Sequence, residues 1–130
     1  MITGVGIDTI DPSRLAQQFH IQEDLKRDLF TPSEIGYCDS QADGPRHYAA
    51  LFAAKEAILK ALSIGLTKGV LFRDIEIVPA SGERTKVILH GQVLQFATEH
   101  NIDSERMNLA MSNGGPFACA VVTIDQIKEN

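Results

Sequence analysis

RHYAALFAAKEAILKALSIG, from Arg46 to Gly65, is the longest helical pattern in the chain and decides how the rest is read. It contains no proline and no internal glycine, and its alanines and leucines lose little entropy in a helix. Tyr48, Leu51, Phe52, Leu59 and Leu62 recur at three- and four-residue steps and so share one face. Gly65 supplies a C-terminal stop. The charges are less ordinary. At about 100° per residue, Lys55 falls inside the apolar arc, while Glu56 and Lys60 stand one turn apart along its edge and Ser63 continues the row. Ala49, Ala50, Ala53, Ala54, Ala57 and Ala61 cover much of the remainder. A helix that is apolar or small nearly all round packs on several sides, and its charges then need partners. Taken alone, Glu56–Lys60 reads as a surface pair at i,i+4 spacing, worth about 0.3–0.5 kcal/mol. Lys55, its ammonium snorkelling outward from the arc, weighs against so bland a reading.

The 130 residues suit one domain, residues 1–130, with a proper core. A hydrophobic share of 44% and a charged share of 22% are ordinary for a soluble protein. The net charge of −5 argues against general nucleic-acid binding. An acidic partner would have to find a local basic patch. No apolar run approaches the roughly 20 residues of a membrane span. The start, MITGVGID, lacks the basic n-region and apolar centre of a signal peptide. Cys38 and Cys119 match no metal or redox spacing and read as two reduced, packed thiols of a cytoplasmic protein.

Residues 2–10 read as a strand in which Val5 and Ile7 alternate with Gly4, Gly6 and Asp8. Asp8 therefore shares its face with two glycines. The open space beside its carboxylate suits a metal and a phosphate; equally, an Asp near a strand end simply starts a turn. Asp11 as N-cap and Pro12 at the first helical position open a helix carrying Arg14, Leu15 and Phe19. A short helix follows around Glu23–Leu29, and the capping box Thr31-Pro32-Ser33-Glu34 starts a third that runs towards Cys38. SQADGP, residues 40–45, is the clearest loop before the long helix. Beyond Gly65, Lys68 and Gly69 lie in a plain connection or a phosphate-facing turn, with no Walker or dinucleotide pattern. Strands at 70–78 and 86–90 flank a turn around Ser81-Gly82. A helix then runs from Gly91 to about His100, with Val93, Leu94, Phe96 and Ala97 inward. The end is a hairpin, 107–112 and 117–124, turning at Asn113-Gly114-Gly115-Pro116. Its last strand is expected to be central, with Ser112 at the lip of the sheet. The order β-α-α-α-β-β-α-β-β predicts an α+β fold: an antiparallel sheet, helices on one face, one long central helix.

His20, His47, His90 and His100 show no HxxxH or HxH spacing and read as surface or helix-end residues. There is no GxSxG nucleophile elbow. Asp8 and Glu56 are the acidic positions that stand out. An early-strand Asp and a helix Glu, with coordination left open for water and phosphate, is how Mg²⁺ is usually held, and such a site favours phosphoryl-type chemistry.

Gly6-Ile7-Asp8, followed by Phe52-Ala53-Ala54-Lys55-Glu56-Ala57 and Lys60, resembles the paired motif of the 4′-phosphopantetheinyl transferases, GxD then FxxKExxxK. The likeness is to the short holo-[acyl-carrier-protein] synthase type and extends to the strand Asp74–Ile77 and the closing serine-containing hairpin. It implies an α+β homotrimer with sites between neighbouring subunits. The implied reaction moves phosphopantetheine from coenzyme A to a serine of an apo acyl carrier protein, releases 3′,5′-ADP, needs Mg²⁺ and serves fatty acid biosynthesis. By the resemblance Asp8 and Glu56 are the metal ligands, and Lys60 lies near the phosphates, where it neutralises charge on the bridging oxygen. Lys55 is the motif lysine. Lys55, Lys68 and Ser112 join Lys60 in contacting coenzyme A. Arg14 meets the acidic carrier in a salt-sensitive contact, with Lys26 and Arg27 extending the patch.

Two departures stand out. Where the family's last motif commonly reads SxSH, this chain has Ala110-Met111-Ser112-Asn113, so the histidine is Asn113. Asparagine donates a hydrogen bond but takes no proton near neutral pH. Where the family usually has Arg before the Phe of FAAKE, this chain has Leu51, which removes a planar, multi-donor cation. Arg46, about one and a half turns earlier, is the candidate to reach a related place and contact coenzyme A. Three readings follow: an active transferase with Glu56 deprotonating the carrier serine through a water; a divergent relative that binds coenzyme A or a carrier but transfers weakly or not at all; or an unrelated α+β binding or assembly module whose motif match is accidental, against which the joint spacing of both motifs weighs.

Overall fold

Strand β1 (Ile2–Ile10) forms one edge of a three-stranded antiparallel sheet ordered β1-β5-β4, with β4 spanning Met107–Ser112 and β5 Ala118–Asp125. The structure, a computed structural model, describes residues 1–65, 69–79 and 84–125. Lys68 and the turn at Ser81-Gly82 lie outside the described residues. The helices are α1 (Pro12–Ile21), α2 (Leu25–Leu29), α3 (Pro32–Asp39), α4 (Gly44–Ala61) and α5 (Gly91–Glu99). Strands β2 (Ile75–Val78) and β3 (Lys86–Leu89) make a second, two-stranded antiparallel sheet. The α+β class and the central last strand are as expected; the order differs in that four helices, not three, lie between β1 and β2, because α1, α2 and α3 all precede the long α4. The strands, however, divide between two sheets instead of joining one. No described helix is long and apolar enough to cross a membrane.

Local chemistry accounts for the boundaries. Asp11 accepts from the Ser13 amide at 3.0 Å and caps α1. Thr31 and Glu34 form the reciprocal box that starts α3. The strand expected from Val70 begins only at Ile75, because Phe72–Asp74 closes a 3-10 turn. In that turn the Leu71 amide donates to Asp74 Oδ2 at 3.3 Å and the Asp74 amide to Leu71 O at 3.0 Å. Helix α4 starts earlier than expected, at Gly44, after the N-cap Asp43. It stops at Ser63, not Gly65: Ser63 turns left-handed at φ 59, and the Ile64 amide bonds Leu59 O at 3.0 Å, the 6→1 bond of a Schellman cap. In α5, Val93 and Ala97 are buried, whereas Leu94, expected inward, is exposed on the wall of a groove beside β3. Cys38 is a buried free thiol, its pKa pushed up to about 12 by burial, and Cys119 is a half-buried one.

Helix α4 lies across β1 and β5, over the inward side chains Ala118, Ala120, Val122 and Ile124. The glycines of β1 make this possible. A Cβ on Gly6 would sit 1.8 Å from Ala57 O, and one on Gly4 2.5 Å from Ala61 O. The face that Asp8 shares with the glycines is therefore not open space, as the sequence suggested; the backbone of α4 fills it. Ala53, Ala57 and Ala61, all buried, form the facing surface of the helix.

Lys55 does not snorkel outward. Its side chain is fully buried, as is that of Glu34, and Nζ lies 2.7 Å from Glu34 Oε1. Its other donors reach Ile75 O at 2.6 Å and Phe72 O at 3.2 Å. Glu34 Oε1 also accepts from the Thr31 amide at 2.8 Å, and Oε2 from the Ile77 amide at 2.9 Å. Burial lowers the pKa of the Lys55 ammonium, and the adjacent Glu34 carboxylate holds it back up. Lys55→Met keeps the chain's volume but strands a buried carboxylate, and should cost about 3–5 kcal/mol. Urea unfolding would show this as a lower midpoint at an unchanged slope; a loss below about 1 kcal/mol would remove the pair's structural role. Gly6→Ala should cost about 1–3 kcal/mol or more by forcing β1 off α4, read in the same experiment.

Candidate active site

Asp8, near the end of β1, and Glu56 and Lys60, on α4, meet at the seam between strand and helix. Lys60 Nζ donates to Asp8 Oδ1 at 2.9 Å and to Ile7 O at 3.2 Å. The lysine thus pairs across the seam and not as a simple surface partner of Glu56. Asp8 exposes only 14% of its side chain, and its Oδ2 is buried with no hydrogen-bond partner among the described residues. The neighbouring Glu56 carboxyl is a donor to it only when protonated.

The electrostatics follow. Burial, reinforced by Asp8, pushes the Glu56 pKa up to about 7. Burial also works against ionising Asp8, but hydrogen bonds from Glu56 and Lys60 and the Lys60 charge hold its carboxyl below the usual range. The bond to Asp8 raises Lys60 above its ordinary value. Two carboxyl groups share one cation and leave an oxygen orphaned, and this fits a hard divalent ion such as Mg²⁺. Mg²⁺ takes one or two carboxylates and fills its shell with water and phosphate oxygens. Among the described residues no cluster of three or more His, Cys, Asp or Glu side chains is placed to hold a metal.

The other residues singled out from the sequence go elsewhere. Lys55 is spent in the core with Glu34. Arg46 donates to Asn113 O at 2.9 Å and Gly115 O at 2.8 Å and pairs with Asp43 at 3.0 Å. It braces the β4–β5 turn against the start of α4. Ser112, Asn113, Leu51 and His47 line a cavity of about 390 Å³ between α3, α4 and that turn. His47, Ala50 and Leu51 precede Glu56 by nine, six and five residues, so at about 100° per residue they face largely away from it. Arg14 is exposed on α1. Lys26 stands over the Tyr48 ring at 4.8 Å, and Arg27 pairs with Asp24.

Sequence reading missed Glu34 as the partner of Lys55. The signal was there: a capping-box glutamate upstream of a lysine inside an apolar arc. It also passed over His47, a helix residue whose place in the cavity depends on the distant hairpin.

Glu56 keeps its proton in the fold between its ordinary 4.5 and about 7, where the unfolded chain has lost it. The folded state then binds more protons, so this group's contribution to stability falls as pH rises through that window and is flat above it. The thermal midpoint of the metal-free protein should decline from pH 4.5 to about 7 relative to Glu56→Gln, which cannot titrate there. Parallel curves would overturn the raised Glu56 pKa.

The model of the 4′-phosphopantetheinyl transferase superfamily matches residues 4–122. A holo-[acyl-carrier-protein] synthase of Geobacter sp. (strain M21) is 44% identical over 127 residues, 97% of this chain and 100% of its own length. The crystal structure of the Neisseria meningitidis holo-[acyl-carrier-protein] synthase has the same fold, with a TM-score of 0.85 at 24% identity over 97% of this chain and 100% of that one. The Helicobacter pylori holo-[acyl-carrier-protein] synthase in complex with coenzyme A matches with a TM-score of 0.77 at 28% identity, over 93% of this chain and 99% of that one. The chain belongs to the 4′-phosphopantetheinyl transferase superfamily.

Proposed function

We propose that the protein is a holo-[acyl-carrier-protein] synthase, transferring 4′-phosphopantetheine from coenzyme A to a serine of an apo acyl carrier protein with release of 3′,5′-ADP. The observation that carries this is the meeting of the Asp8 carboxylate, its Oδ2 unpartnered, the Glu56 carboxyl and the Lys60 ammonium at one seam. Relatives that share its full length carry the same enzyme name.

Asp8 and Glu56 would hold Mg²⁺, which when bound supplies charge neutralisation and orients phosphate oxygens. The carrier serine oxygen attacks the phosphorus that bears the pantetheine arm. The bond from that phosphorus to the oxygen bridging towards adenosine breaks, and 3′,5′-ADP leaves. Lys60, free to rotate from its exposed position, neutralises the charge that grows on the bridging oxygen. Glu56 takes the serine proton through a water. On α1, Arg14 offers the acidic carrier a cation.

We take the working form to be a homotrimer in the cytoplasm, serving fatty acid biosynthesis. Two observations support assembly. The outer face of the main sheet exposes Val5, Ile7 and Val121, with Ile7 directly opposite Val121 in the ladder; apolar faces of this kind mark interfaces. The acidic pair and the cavity by Asn113 also face different ways from α4, an arrangement that a site shared between copies would reconcile. The alternative, a divergent relative that binds without efficient transfer, is favoured by the cavity alone, where Leu51 and Asn113 supply no charge.

Intact-mass spectrometry of an apo carrier incubated with the protein, coenzyme A and Mg²⁺ separates the two. A phosphopantetheine mass gain that disappears with Asp8→Ala, or without Mg²⁺, is the expected result. No gain across several carriers, with coenzyme A still bound, would establish the divergent binder. Arg14→Glu should raise the KM for carrier about tenfold, as expected for a lost charge pair at an interface, and leave the KM for coenzyme A unchanged.

A further inference from the structure

Among the described residues β3 leaves one edge open, and the groove along that edge contains none of the side chains given a part in the transfer. On β2, Ile75 O and Ile77 N turn away from β3, towards Lys55 and Glu34. In an antiparallel pair, alternate residues send both main-chain groups to the same side. Glu76 and Val78 therefore bond across to their partners Ile88 and Lys86. Val87 and Leu89 present their N–H and C=O groups to the other edge. None of these groups has a hydrogen-bond partner among the described residues.

The open edge is one wall of a groove of about 830 Å³. Every residue from Arg84 to Leu89 lines it, about 20 Å of extended chain. Leu94 and Thr98, one turn apart on α5, also line it, and Ile102 and Met107 add apolar surface. Ile88 and Leu94 are 42% and 47% exposed, so two large apolar side chains flank a row of unpaired main-chain groups. A free strand edge beside an apolar groove is how an extended peptide is received as an added strand. Main-chain bonds hold such a peptide, and its alternate side chains select it.

The groove also specifies the kind of strand. Helix α5 follows β3 directly and flanks the same groove, so β3 of a second copy could enter only by bringing its own α5 into the same space. A lone extended segment meets no such obstacle. Lys86 on the strand, and Asp103 and Glu105 at the 3-10 turn Ser104–Arg106, also line the groove. None of the three has an ion-pair partner among the described residues, and a segment with a charge of each sign complements them. We propose that this groove docks an extended segment of a partner protein, added antiparallel to β3 as a third strand, with β-branched apolar residues at alternate positions and a charge of each sign between them. The proposal rests on the edge of β3 and stands apart from the transferase reading.

Fluorescence anisotropy of the labelled peptide Lys-Val-Glu-Val-Thr-Val against the full chain tests it. Directly opposed residues share a face of a sheet, so valines placed on the side of Val87 and Leu89 turn their N–H groups towards β3. N-methylation of the valines should abolish binding, while N-methylation of the glutamate and threonine should leave it within about twofold. Leu94→Lys, at an exposed position, should weaken binding about tenfold. Val87→Pro removes an outward N–H and no bond to β2, as an edge strand allows, and should weaken it similarly. No binding of the unmodified peptide, equal binding of the two methylated ones, or unchanged affinity in both variants would each overturn the proposal. Binding that appears only after residues 126–130 are removed would give the groove to the chain's own end. Self-association that Leu94→Lys abolishes, with no peptide bound, would give it to a second copy. Either result overturns the proposal as well.

Discussion

The buried ion pair between Lys55 and Glu34 does the work of a missing strand. Among the described residues β2 has a strand partner only on its β3 side. On its other edge, Ile75 O and Ile77 N would be buried and unpaired, at a cost of about 1–3 kcal/mol each. The Lys55 ammonium takes the first at 2.6 Å and the Glu34 carboxylate the second at 2.9 Å. The second sheet is thereby fastened to α4 and to the start of α3. Removing either partner would leave a charge and a strand edge stranded together, which is why the pair has more structural weight than its Coulomb energy alone. Hydrophobic replacements that fill the same volume often match the stability of a buried pair, but here they could not satisfy the strand.

The second constraint is the seam between β1 and α4. Gly4 and Gly6 let the strand touch the backbone of the helix. The close approach sets Asp8 of the strand beside Glu56 and Lys60 of the helix. Sequence-distant residues acquire a common electrostatic environment in this way: one orphaned oxygen, one carboxyl whose pKa lies near 7, one ammonium. The comparisons give the family; this contact explains why Asp8, Glu56 and Lys60 form a unit within it.

Much of the fold was legible because its signals are local. The capping box at Thr31–Glu34, Asp11-Pro12, and the hairpin turn at Asn113–Pro116 each state their own geometry. The errors came where tertiary contacts or side-chain bonding overrode a pattern. Asp74 folded back on Leu71 and delayed β2, Ser63 adopted a left-handed turn that glycine usually takes, and Lys55 turned inward to a partner 21 residues away. For the site, Asp8, Glu56 and Lys60 were readable from spacing combined with the family resemblance. Their shared burial was not, because it depends on how closely two backbones can meet. The role of Arg46 as a brace, and the cavity that contains His47, required the register of β4 against β5.

A seam built from glycine and alanine has another consequence. Neither residue has rotamers to lose, so the joint between β1 and α4 is a contact of main chain with main chain and methyl groups. Substitutions elsewhere in the core can be absorbed by side chains that switch rotamer, but this joint has none with which to adjust. The spacing of Asp8 from Glu56 is therefore insulated from drift in the rest of the core. Variation in the chemistry of the pair has to come from the reactive side chains themselves or from their solvent, not from gradual repacking underneath them.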